Sequence, residues 1–140
     1  MNEHESFLEL EAYARKRIDA DRYPGDYHAF KLFRCPACGV VPFEVVIEHH
    51  TGSRKGDFKG VILGQCSQCG RQERVFSFTG EHRKPLRQEN PICRCGERRL
   101  FVAECERIER EEGMFGFFDE GVVVGQCARC GRNRVLVETD

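Results

Sequence analysis

The chain has no tryptophan, and among its 140 residues there are only two methionines and three tyrosines. With short apolar stretches besides, this composition suits small modules better than one large core. No apolar run reaches the length of a membrane span, which excludes a helical transmembrane segment. The opening Met1-Asn2-Glu3-His4-Glu5 is acidic and no apolar segment follows it, unlike a secretory leader. The formal net charge of −1 lacks the positive excess of a dedicated nonspecific DNA binder. No serine, histidine and carboxylate recur at a spacing that suggests a nucleophile and its base. The expectation is therefore a protein that is not itself an enzyme, although it could serve as a non-catalytic subunit of one.

What the chain does have is cysteine. Eight of its nine cysteines fall into four short pairs: Cys35-x-x-Cys38 with Cys66-x-x-Cys69, then Cys93-x-Cys95 with Cys127-x-x-Cys130. A thiolate pair closed by a tight turn can grip one ion, and two such pairs complete a tetrahedral four-sulfur site of the kind structural zinc prefers. The pattern predicts two Zn2+ per chain. Nine cysteines without a secretory leader favour metal ligation in a reducing cytoplasm over disulfides.

The chain also repeats itself. Gly60 to Arg71 matches Gly121 to Arg132 at a constant offset of 61. Upstream the offset reads as 58, placing Cys35 on Cys93, Phe43 on Phe101, Val45 on Ala103 and Ile47 on Cys105. A difference of three residues then falls in the hairpin loop of the second copy. In this alignment the ninth cysteine, Cys105, takes an apolar-face position and reads as a buried core residue rather than a reactive thiol.

From about Lys31 to Glu138 the pattern resembles the zinc-ribbon family, whose knuckle is matched almost letter for letter by Cys35-Pro36-Ala37-Cys38-Gly39. Pro36 presets a turn. Gly39, Gly70, Gly96 and Gly131 permit the positive backbone angles that aim amides at the sulfurs. Cys93-Arg94-Cys95 departs from the pattern by one residue and makes a tighter turn. Rubredoxins hold iron on the same knuckle, but their aromatic core includes the tryptophan missing here. The spacing of the second site is similar to that of a redox-regulated bacterial holdase, which makes a thiol redox switch a third functional reading. Asp119-Glu120 resembles, faintly, the acidic hairpin tip of RNA polymerase transcript-cleavage factors, without their accompanying basic residue.

The expected architecture is mainly β: two tandem zinc ribbons, each a three-stranded antiparallel sheet, behind an N-terminal amphipathic helix. The boundaries read as 1–30 for the helical extension, 31–80 for the first ribbon, 81–91 for a linker and 92–140 for the second ribbon. Phe7, Leu10, Ala14 and Ile18 lie on one helix face at helical spacing, and Pro24-Gly25 ends the helix. That face either packs against the first ribbon or docks a partner protein. The first hairpin tip carries Arg54, Lys55, Phe58 and Lys59, which could hold nucleic acid. The second carries Phe115, Phe117 and Phe118, which either fold back over the sheet or offer a protein interface. Net charge by segment is −3 for 1–30, +3 for 31–80, +1 for 81–91 and −2 for 92–140. The leading functional expectation is a cytoplasmic, zinc-binding adaptor or small subunit acting through protein contacts. Nucleic-acid binding in transcription or RNA handling is the alternative.

Overall fold

The computed structural model describes residues 3–18, 27–50, 60–78, 87–109 and 117–139. Helix α1 (Glu3–Arg17) is followed by eight strands: β1 (Tyr27–Leu32), β2 (Phe43–His49), β3 (Gly60–Cys66), β4 (Gln72–Phe78), β5 (Arg87–Glu89), β6 (Arg99–Glu109), β7 (Phe117–Cys127) and β8 (Asn133–Thr139). The fold is mainly β, as the alternating apolar pattern predicted. None of the described helices is long and apolar enough to cross a membrane.

Each copy supplies an antiparallel triplet, β2-β3-β4 or β6-β7-β8, and all belong to one sheet with the order β4-β3-β2-β6-β7-β8. The seam is short: Phe43 pairs with Leu100 and Glu44 with Arg99. Two strands absent from the sequence-based expectation reinforce it crosswise. β1, which leads into the first copy, pairs with β6 of the second; β5, from the segment read as a linker, pairs with β2 of the first. His49 Nε2 lies 3.0 Å from Glu89 Oε2 across the β2–β5 pair. Each copy thus holds the lead-in strand of the other.

Strand register corrects the expected alignment. Phe43 faces Cys66 in the first copy, and the residue facing Cys127 in the second is Leu100. A backbone bond confirms the match: Ser67 N–H donates to Pro42 O (3.2 Å) as Ala128 N–H donates to Arg99 O (3.0 Å). The true offset along the first strand is therefore 57, the same as from Cys38 to Cys95. The residue missing from the second knuckle is lost inside the turn, and every later position shifts by one. The second hairpin is longer by four residues rather than three.

A one-residue shift moves each side chain to the other face of a strand, and the burial pattern shows it. Leu100 and Val102 join Phe43, Val45, Ile47, Ile62, Val123 and Val137 in a core shared by both copies. Phe101, Ala103 and Cys105 lie on the opposite face. Phe33 supports the shared core with its ring 4.8 Å from that of Phe43. At equivalent places next to this core, Gly64 and Gly125 let the strands close up. An added Cβ at Gly64 would come within 3.0 Å of Val75, and one at Gly125 within 3.3 Å of Leu100.

The opposite face of the second copy is covered by α1. Phe7, Leu10, Ala14 and Ile18 are all buried there, packed with Ala103, Cys105, Val122 and Val124. Phe7 meets Phe101 edge-on at 5.1 Å, and Arg17 Nη2 reaches Glu138 Oε1 at 2.9 Å. This corrects two expectations: the helix serves the second copy rather than the first, and its apolar stripe offers no free surface to a partner. With both faces covered, β7 is buried continuously from Gly121 to Cys127. Leu10→Ala should therefore cost about 2–5 kcal/mol, the range for emptying a buried leucine site, and lower the denaturant midpoint accordingly. A midpoint equal to the wild type would contradict this packing.

Candidate metal centres

Each centre is assembled from two turns at the same end of a ribbon. In the first knuckle Pro36 fixes its own φ, and Cys35 and Gly39 exchange backbone bonds in both directions at 2.8 Å. In the facing knuckle Cys66 N–H donates to Arg71 O (2.9 Å) and Gly70 N–H to Cys66 O (2.9 Å); Cys127, Arg132 and Gly131 repeat this in the second copy. The glycine after each knuckle's second cysteine has positive φ: 83° at Gly39, 74° at Gly70, 92° at Gly96 and 78° at Gly131. An added Cβ would meet nothing at any of the four, so backbone conformation, not space, calls for glycine there.

The turns bring the sulfurs together. Cys35, Cys38, Cys66 and Cys69 form one group and Cys93, Cys95, Cys127 and Cys130 the other, with the Sγ atoms of each group all within 4.8 Å of one another. Close approaches are 3.7 Å for Cys35–Cys69, 3.4 Å for Cys93–Cys130 and 3.5 Å for Cys95–Cys127. Zinc–sulfur bonds of about 2.3 Å in a tetrahedron set sulfur–sulfur edges of about 3.8 Å, so both donor sets fit one ion each. All nine cysteines are unbridged.

Backbone amides grade the thiols. Cys66 is lowered to about 7, chiefly by the Cys69 amide with help from that of Gln68; those N–H groups lie 3.5 and 3.4 Å from its sulfur. Burial pushes Cys127 up, yet the amides of Cys130 and Arg129 outweigh it and bring the thiol to about 6. Burial and the neighbouring thiols drive Cys38 up to about 12. At Cys95 the Glu97 amide pulls downward, but burial and the Cys127 thiol carry the group to about 11. Without metal, each centre thus holds one sulfur that ionises easily, Cys66 or Cys127, beside one that keeps its proton, Cys38 or Cys95. A bound dication must displace those protons, so affinity falls as pH falls.

The two centres differ in closure. Gly96 N–H donates back three residues to Cys93 O at 2.8 Å, where Gly39 reaches back four to Cys35. Cys95 is exposed while its counterpart Cys38 is half-buried. Cys105 stands apart: it is fully buried beneath α1, and burial raises its thiol to about 11. Comparison with protein-family models, with curated proteins and with solved structures returned no match.

Other residues singled out in the sequence lie elsewhere. Arg54, Lys55, Phe58, Lys59 and Phe115 fall outside the described residues. The backbones of Phe117 and Phe118 belong to β7, paired with Glu109 and Ile108 of β6, and their side chains are outside the description. The sequence reading overlooked Arg94, Arg98, Arg99, Arg129, Arg132 and Arg134, which surround the second centre. Their signal was present, but summing charge over 92–140 set them against the acidic hairpin 104–120 and hid it.

Under mild chelation the second centre should release a bound metal first, because its knuckle is shorter and two of its cysteines are exposed where the first centre exposes Cys69 alone. Residue-resolved alkylation would show Cys95 and Cys130 labelled ahead of Cys38, and Cys105 labelled only on unfolding. Early labelling of Cys38 would contradict the ordering.

Proposed function

We propose that the chain is a zinc-binding, non-catalytic adaptor or small subunit that works in the cytoplasm through protein contacts within a larger assembly. The observation that carries this is the closure of both centres. Four cysteine sulfurs around one ion leave no position for water or substrate, whereas hydrolytic zinc keeps one open. Metal in such a site contributes folding energy. Here it would fix short turns at the ends of strands that the two copies already share. What remains for function is a rigid surface, and a rigid surface acts by binding.

Purified protein should contain two zinc ions per chain, and strong chelation should unfold both halves together because β1 and β5 tie each copy to the other. Elemental analysis finding iron, or fewer than two metals, would overturn the zinc assignment. Affinity purification from native cytoplasm with nuclease present should retain a stoichiometric protein partner. Loss of all bound material on nuclease treatment would instead favour nucleic acid.

A further inference from the structure

The two copies diverge in charge around their metal centres. With the offsets fixed by strand pairing, Val41 corresponds to Arg98, Pro42 to Arg99, Gln68 to Arg129 and Glu73 to Arg134. The first centre has Arg34, Arg71 and Arg74 set against Glu44 and Glu73, a net of +1. The second has six arginines set against Glu97 and against Glu44, which faces Arg99 across the seam, a net of +4 before the charge of the thiolates is counted. Arg71 Nε lies 2.8 Å from Glu73 Oε1; its counterpart Arg132 has an arginine, Arg134, at the matching position. The first copy forms the same four-sulfur group and the same facing turn without this charge. Neither the fold nor the metal site requires it.

Three of these arginines, Arg94, Arg132 and Arg134, line an open groove of about 540 Å³ that runs beside Cys93 and Cys127 of the second centre and whose aliphatic lining is Ile92, Leu100 and Val135. Arg134 is fixed at its edge by donating from Nη1 to Ile92 O at 3.2 Å. Ile92 is 45 % exposed, unusual for a large apolar side chain among the described residues. Arg98 and Ile92 also line an adjoining pocket. Among the described residues Arg99 is neutralised by Glu97, and no carboxylate pairs with Arg94, Arg98, Arg129, Arg132 or Arg134.

The chemistry of the occupant follows from what the groove contains and lacks. From residue 92 onward the chain has eight arginines and no lysine. Protein interfaces favour arginine and avoid lysine, while phosphate-tracking surfaces use both and add aromatic rings on which bases stack. No aromatic residue lines this groove. Its apolar lining under a cationic rim matches a chain that carries carboxylates and an aliphatic side chain together.

We infer that this groove docks an acidic segment of a partner protein, with an apolar side chain of that segment seated on Ile92 and Val135. The inference rests on the adaptor reading and names the chemistry of its partner. The test uses the zinc-loaded full chain and fluorescence anisotropy with four labelled probes: a peptide alternating Glu and Leu, its Gln–Leu and Glu–Gly counterparts, and oligothymidylate. The Glu–Leu peptide should bind most tightly, and more weakly as salt screens the arginines. The triple variant Arg94→Gln, Arg132→Gln, Arg134→Gln should weaken it roughly tenfold, the scale of three rim charge contacts. Ile92→Ser should weaken Glu–Leu binding and leave Glu–Gly binding unchanged. Zinc content and circular dichroism should match the wild type in both variants, which separates lost contacts from lost fold. Tighter binding of oligothymidylate, equal binding by the triple variant, or no binding at all overturns the inference. If the acidic peptides fail while a nuclease-resistant partner still co-purifies with the triple variant, the adaptor reading survives and the groove assignment falls. Nucleic acid in place of that partner removes both.

Discussion

Four cysteine sulfurs gathered within 4.8 Å, twice over, set the terms for the rest of this fold. Ionised thiolates so close repel one another, and protonated ones leave the knuckle amides with weak acceptors. A dication resolves both problems, which is why the donor sets read as metal centres and not as clustered free thiols. The turns, the knuckle glycines and the graded thiols all serve that convergence. The knuckles close the ends of β2, β3 and β4, so a bound ion would hold those strand ends against local opening.

The second constraint is the seam between copies. Only Phe43–Leu100 and Glu44–Arg99 pair directly across it, too little to hold two sheets in register alone. The exchanged strands β1 and β5 lengthen the junction on either side, and the side chains facing inward from both copies merge into one core. Duplication has thus produced an interlocked sheet, in which removing one half would also strip the other of a strand.

Within this near-symmetric frame the copies have diverged where the fold leaves them free. The second copy has a helix over its outer face and a set of arginines around its knuckles; the knuckles of the first are closer to charge balance. The helix answers an apolar demand, since Ala103, Cys105, Val122 and Val124 would otherwise face water. The arginines are met only in part from within: a zinc-loaded four-thiolate centre would carry two negative charges, and Glu97 and Glu44 act on Arg99. The first copy gathers the same four sulfurs without that excess, so the remainder is the charge a proposed partner would meet.

The two four-cysteine groups, the knuckle turns, the duplication and the apolar helix face were all legible in the sequence. Each is a local pattern: cysteines two or three apart, a glycine after the second, an offset of 61, a stripe at helical spacing. Cys105 was rightly read as core, though for the wrong face, because a one-residue loss inside the Cys93–Cys95 turn leaves the sequence alignment ambiguous while flipping every side chain beyond it. Only tertiary structure could settle that register, since it depends on which residue faces Cys127 across the hairpin. It also decided the helix's partner and the crossing of β1 and β5, short strands whose pairing is set by the neighbour they meet rather than by their own propensity. And it gathered six arginines, spread over some forty residues of chain, around one four-sulfur group, a proximity set by the pairing of β6 with β7 and the convergence of their two turns.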